Sequence, residues 1–187
     1  KLVSECLEKA QNLTKFIYNR IWLLNLMKKE FTGQDILRPA RTRHAAGFLS
    51  LEGILDHRNG LKRMFQSNKW LLCRFSQSDE GKEVEKTILN CTFWKKMQYV
   101  HKSVDPVLQV LQKVSSDGNL SMPYIYNEMY KAKLAIKCTH GDDARKYGPF
   151  WSVIDGHWNA LFHHPLCVAA YYLNPAYRYR SDCVAVS

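Results

Sequence analysis

The sequence predicts an all-α protein, an irregular multi-helix domain of about six to eight helices with few or no strands. Three observations predict it. Apolar residues recur at steps of three and four through most of the chain, the period of one helical face. Strict alternation of apolar and polar residues never persists over about six positions between turn signals, as a half-buried strand would require. The interruptions fall at clusters of Gly, Pro, Asn, Asp and Ser, which stop helices and start new ones.

The first element places Val3, Leu7, Ala10, Leu13, Ile17, Ile21 and Leu24 on one stripe, which predicts a helix over about residues 4–30. It should end before Thr32-Gly33-Gln34-Asp35. After a loop containing Pro39, Thr42 is the N-cap of a second helix that turns Phe48, Leu51, Leu55 and Leu61 inward and runs to about Phe65. Ser67-Asn68 breaks the pattern, and residues 69–75 form a short helix over the others. Residues 76–81 read as a loop and 83–89 as helix. Asn90 or Thr92 then caps an element carrying Phe93, Trp94, Met97, Val100 and Val104. Pro106 must bend or divide it, because a proline cannot donate to the preceding turn.

Ser115-Ser116-Asp117-Gly118-Asn119 is the clearest turn. Ser121 with Pro123 just inside starts the next helix, with Ile125, Met129, Ala132 and Ile136 along one side. A loop over 139–143 leads to a last pair, Tyr147 to about Phe162 and Leu166 to Leu173, parted by Pro165 and stopped by Asn174-Pro175. The 187 residues, 46% of them hydrophobic, suit a single helical domain, 1–187, with a packed core. The absence of an initial Met and of any leader pattern makes the chain read as a fragment of a longer one.

The charge narrows the function. Twenty-seven Lys+Arg against 17 Asp+Glu leave a formal net charge of +10. Such a field favours polyanions, whether nucleic acid, an anionic membrane surface or an acidic protein. No stretch approaches the ~20 apolar residues that cross a bilayer, and the basic residues do not line one face beside bulky apolar ones, so a membrane is not an expected partner. Six cysteines, at 6, 73, 91, 138, 167 and 183, lack zinc-knuckle or dithiol spacing and read as reduced thiols of an intracellular protein. Three Asn-x-Ser/Thr sequons, at Asn12, Asn90 and Asn119, are too short a pattern to overturn that reading.

Catalytic chemistry finds little support. Cys138, His140, His157, His163, His164 and Cys167 match no structural zinc spacing, so neither a metal nor another cofactor is expected. Asp142-Asp143 are turn residues, and Glu52 and Asp56 share a solvated helix face. No phosphate-binding glycine loop, nucleophile elbow or His-Glu-x-x-His pattern is present. No catalytic residues are expected. The basic groups offer more: Lys28, Lys29, Arg38, Arg41, Arg43 and His44 surround the first loop, and Arg58, Lys62 and Arg63 follow on the next helix. Guanidinium groups meeting a helix N-terminus hold phosphates, because charge and free backbone donors converge there.

A longer series of short motifs is collinear through the chain. Tyr18-Asn19 and Leu23-Leu24-Asn25 precede the loop. Arg38-Pro39-Ala40-Arg41-Thr42-Arg43 and Met64-Phe65-x-Ser67-x-x-Trp70 follow, then Phe93-Trp94, Met122-Pro123-Tyr124-Ile125-Tyr126 and Ile154-Asp155-x-x-Trp158. The series ends in His164-Pro165-Leu166-x-x-Ala169-Ala170-Tyr171-Tyr172-Leu173-Asn174-Pro175. This order resembles plant transposase-like proteins of the hAT superfamily.

The resemblance implies the helical region that the family inserts between the second and third acidic residues of an RNase H-like core. The first two acids would lie upstream of Lys1, and the third in a Ser-x-x-Glu-Arg-type motif downstream, so this region would not itself cut DNA. The family's Thr-Arg-Trp signature, beside the transposon end, reads Thr42-Arg43-His44 here. The Arg is kept; the imidazole of His44 offers less stacking area than an indole, as in a domesticated or decayed element. The resemblance thus implies a nuclear, non-catalytic domain that contacts DNA phosphates through Arg38, Arg41, Arg43, Arg58, Lys62 and Arg63, with His44 against a base or sugar. An alternative is a transposase-derived module reused for protein–protein interaction, with Trp22, Trp70, Tyr177 and Tyr179 as contacts wherever they are exposed. A third is assembly into homo-oligomers.

Overall fold

A computed structural model describes residues 2–36, 43–116, 122–161, 169 and 172–174. Every regular element among them is helical and none is a strand, so the all-α class holds. The chain divides into two compact units, Lys1–His101 and Lys102–Ser187.

In the first unit the long opening stripe is not one helix. α1 (Leu2–Tyr18) ends at Asn19-Arg20, and α2 (Ile21–Leu26) continues into a π-helical segment, Met27–Thr32. Arg20 adopts an extended backbone, and its guanidinium donates to the Phe16 carbonyl at 2.9 Å while lying 4.0 Å over the Phe16 ring. A carbonyl of the last turn of α1 thereby gains a side-chain partner, which lets the helix stop with no Gly or Pro. Apolar spacing runs on through the break and hides it from periodicity. The π segment does end at Gly33, where the turn residues predicted a stop.

The second predicted helix is likewise two: α3 (Arg43–Asp56) and α4 (Arg58–Phe65), parted at His57, whose Nδ1 lies 2.8 Å from the Gly53 carbonyl. Leu51 and Leu61 are buried as expected, with Ile54 beside them, whereas Phe48 and Leu55 are half-buried. α5 (Asn68–Leu71) is capped by Ser67, whose Oγ accepts from the Trp70 amide. A 3₁₀ turn, Arg74–Gln77, follows. α6 (Asp79–Leu89) starts earlier than predicted because Ser78 caps it by accepting from the Gly81 amide. The core centres on Trp70, fully buried, with Phe65 at 4.5 Å and Phe16 at 6.2 Å between ring centroids. The Trp70 indole N–H reaches Glu85 of α6 at 3.0 Å, so this large side chain is buried with its polar atom satisfied.

α7 (Cys91–Ser116) is one helix with Pro106 inside it, so the proline does not divide it in two. Its first part belongs to the first unit, where Phe93, Trp94, Met97 and Val100 are buried on the predicted stripe. In the second unit α8 (Met122–Thr139) packs against α9 (Ala144–Leu161), with Ala132 and Ile136 buried. The Trp151 indole donates to the Lys133 carbonyl at 3.1 Å, Lys133 pairs with Asp155 at 2.6 Å, and Tyr126 meets Trp158 edge-on at 5.4 Å. Ser103 Oγ lies 2.7 Å from His140 Nε2, both residues buried, and the His140 ring stacks on Phe150. The helix predicted over Leu166–Leu173 lies largely outside the described residues.

Candidate nucleic-acid interface

Two close approaches fix the chain on either side of the predicted basic loop. A Cβ on Gly60 of α4 would stand 2.5 Å from the Phe31 carbonyl oxygen, and a Cβ on Gly53 of α3 would collide with the Ile36 carbonyl oxygen. The π segment and the residues after it therefore lie directly on the backbones of α4 and α3, at positions only glycine permits. Along this stretch Lys28 pairs with Asp35, and Glu30 pairs with Lys69. Lys29 is exposed, with no carboxylate within 4 Å among the described residues.

Arg38 and Arg41 lie outside the described residues. Arg43 and His44 are the first two residues of α3, so their backbones sit in the turn whose amides have no intrahelical acceptor. Such a turn, heading a helix of 14 residues, favours an anion.

α4 divides its three basic residues between two environments. Arg58 and Lys62, one turn apart, both face the indole of Trp94: Arg58 Cζ is 5.4 Å and Lys62 Nζ 5.9 Å from the ring centroid. Trp94 is fully buried, and its N–H donates to the Ile88 carbonyl at 2.6 Å. Arg58 and Lys62 are half-buried, and Arg58 Nε is buried without a hydrogen-bond partner. Arg63 points to solvent. Two of the three predicted contacts thus also hold α4 against the start of α7, each such cation–π contact contributing about 0.5–2 kcal/mol.

Trp94 lies on the predicted apolar stripe, and two lysines outside the predicted contact set, Lys95 and Lys96, follow it. Both lysines are exposed, Lys96 standing 3.7 Å from Glu5. Lys9 and Lys96 hold the Glu5 carboxyl below its ordinary pKa, chiefly through the Lys9 hydrogen bond. The i, i+4 spacing of Arg58 and Lys62 was the available signal that both share one face. Of the aromatic residues named for a protein contact, Trp22 is 47% exposed and Trp70 is buried; Tyr177 and Tyr179 lie outside the described residues.

Among the described residues no three His, Cys, Asp or Glu side chains converge as a metal site, and Cys6, Cys73, Cys91 and Cys138 are free thiols. No helix among them is long and apolar enough to cross a membrane. No family model, curated protein or solved structure matches the chain.

Proposed function

We propose that the chain is the non-catalytic helical domain of an hAT transposase-like protein and works in the nucleus as a DNA-contacting scaffold. The observation that carries the reading is the collinear series of motifs from Tyr18-Asn19 to the His164-Pro165-Leu166 block. Charge supports it. Residues 1–101 hold 18 Lys+Arg against 10 Asp+Glu, a net +8 of the total +10, in the unit that carries the basic loop. Arg38, Arg41, Arg43, Arg58, Lys62 and Arg63 contact phosphates, and His44 stands against a base or sugar. With its Nε buried, Arg58 reaches phosphate through its terminal Nη donors.

Fluorescence anisotropy with labelled duplex and single-stranded DNA tests the reading. The expected result is binding tighter than that of a helical control protein of equal net charge, weakened by Arg43→Ala. Binding no tighter than the control and indifferent to Arg43→Ala would overturn it.

A further inference from the structure

The first unit carries a second surface of different chemistry, made of residues outside the basic set. Four large apolar side chains face solvent there: Ile21 is 76% exposed, Trp22 47%, Leu71 54% and Leu72 88%. Ile21 and Trp22, in the first turn of α2, line an open cleft together with Arg74 and Phe75 of the 3₁₀ turn. Leu71 and Leu72 run directly into Cys73 on the edge of that cleft.

Asn19, Arg20 and Glu80 close one side of this cleft and also line a second one, of about 400 Å³, between α1 and α6. Arg20 anchors the shared wall. Arg20 bonds Glu80 at 2.7 Å and the Phe16 carbonyl at 2.9 Å, with its guanidinium 4.0 Å from the Phe16 ring and 5.2 Å from that of Phe75. Beyond it, Lys9 and Lys15 line the second cleft. Lys15 in one cleft and Arg74 in the other are exposed cations with no carboxylate within 4 Å among the described residues. An apolar cleft and one lined by Lys9, Lys15 and Arg20 beside Glu80 and Glu83 therefore meet at the Arg20–Glu80 ion pair.

We propose that this double cleft is a docking surface for an acidic amphipathic segment of a partner protein. Apolar side chains of the segment enter between Trp22 and Phe75 and cover Leu71 and Leu72, and its carboxylates answer Arg74 and Lys15. The chemistry argues against a nucleic-acid strand. Ile21, Leu71 and Leu72 are aliphatic and offer no ring for base stacking, so the exposed patch suits the apolar face of a peptide better than a strand of bases. None of these residues belongs to the DNA-contacting set, so the proposal goes beyond that reading and stands apart from it.

A random linear-peptide phage library panned against the 187-residue chain tests it. The enriched peptides are expected to carry Leu, Phe or Trp at helical spacing next to Asp or Glu. A synthetic peptide of that type should bind about tenfold more weakly to Trp22→Ala, and also to Leu72→Ser, whose parent side chain takes no part in the core. Arg74→Glu should weaken the acidic peptide further, while Arg43→Ala leaves peptide binding unchanged. Enrichment that survives Trp22→Ala and Leu72→Ser, enriched peptides without acidic residues, no enrichment at all, or displacement of the peptide by oligo-dT would each overturn the proposal.

Discussion

The guanidinium of Arg58 lies over the buried indole of Trp94, its Cζ 5.4 Å from the ring centroid, and so joins α4 to the start of α7. A residue marked by the sequence as a DNA contact is therefore also a packing residue. Arg58→Ala should lower stability by about 0.5–2 kcal/mol, the range of a partly desolvated cation–π contact. Arg63→Ala, on the solvent side of the same helix, should leave stability within about 0.5 kcal/mol of the parent while weakening DNA binding. Urea unfolding followed by circular dichroism, run beside anisotropy titrations, separates the two effects. Equal stability losses in both variants would contradict the division of α4 into a packing side and a solvent side.

Gly53 and Gly60 permit backbone contact where any Cβ would collide with a carbonyl oxygen. A backbone atom cannot turn aside as a flexible side chain does, so Gly60→Ala should cost about 1–3 kcal/mol, the range of overpacking. The same change at Gly148, where nothing lies within 4 Å, should be neutral or stabilising by about 0.5–1 kcal/mol. Thermal melts of the two variants check the contrast.

Trp22 and Trp70 look alike in the sequence and are opposite in the structure. Trp70→Ala should cost about 3–5 kcal/mol, since it empties the centre of the Phe16–Phe65 cluster and leaves Glu85 without its indole donor. Trp22→Ala, half in solvent, should cost far less. Denaturant midpoints for the two variants decide this, and a Trp22→Ala midpoint as low as that of Trp70→Ala would contradict the burial pattern.

These contrasts show how far the sequence was legible. Periodicity located nearly every helical stretch, because burial of one face demands it, and the side of α7 bearing Phe93, Trp94, Met97 and Val100 came out as expected. Breaks without Gly or Pro were invisible. Asn19-Arg20 ends α1 through a side chain folded onto Phe16, and His57 ends α3 through a contact to Gly53; neither leaves a gap in the apolar pattern. The roles of Gly53 and Gly60 depend on a segment some 17 to 29 positions earlier in the chain, which no local pattern encodes. The candidate interface was legible as charge, but charge does not say which cation lies on a buried indole. Arg58, Lys62 and Arg63 differ only in their phase relative to Trp94.

Buried His140 predicts a pH dependence for the second unit. Its pKa lies below the ordinary imidazole value, first because burial disfavours the charged ring and then because Lys146 is near. The unfolded chain therefore takes up a proton at a higher pH than the folded one, so stability is full above about pH 6.5 and declines as pH falls from there toward the lowered folded value. Glu5, Glu128 and Asp143 have lowered carboxyl pKa values, owing first to hydrogen bonds from Lys9, Lys113 and Arg145 respectively, and add losses only in the more acidic carboxyl range. His140→Gln keeps a polar partner for Ser103 but cannot titrate. Its stability should be flat between pH 7 and 5.5, where the parent weakens; parallel curves would remove His140 as the cause.

The salt dependence of DNA affinity tests the central claim most directly. Each phosphate neutralised by the basic loop and α4 should steepen the fall of log affinity with log salt by about 0.9 for duplex DNA. The chain should give a slope of several such increments, and Arg43→Ala should both weaken binding and reduce the slope by about 0.9. A slope no steeper than that of a charge-matched helical control, and unchanged by Arg43→Ala, would contradict a DNA-contacting surface built on these residues.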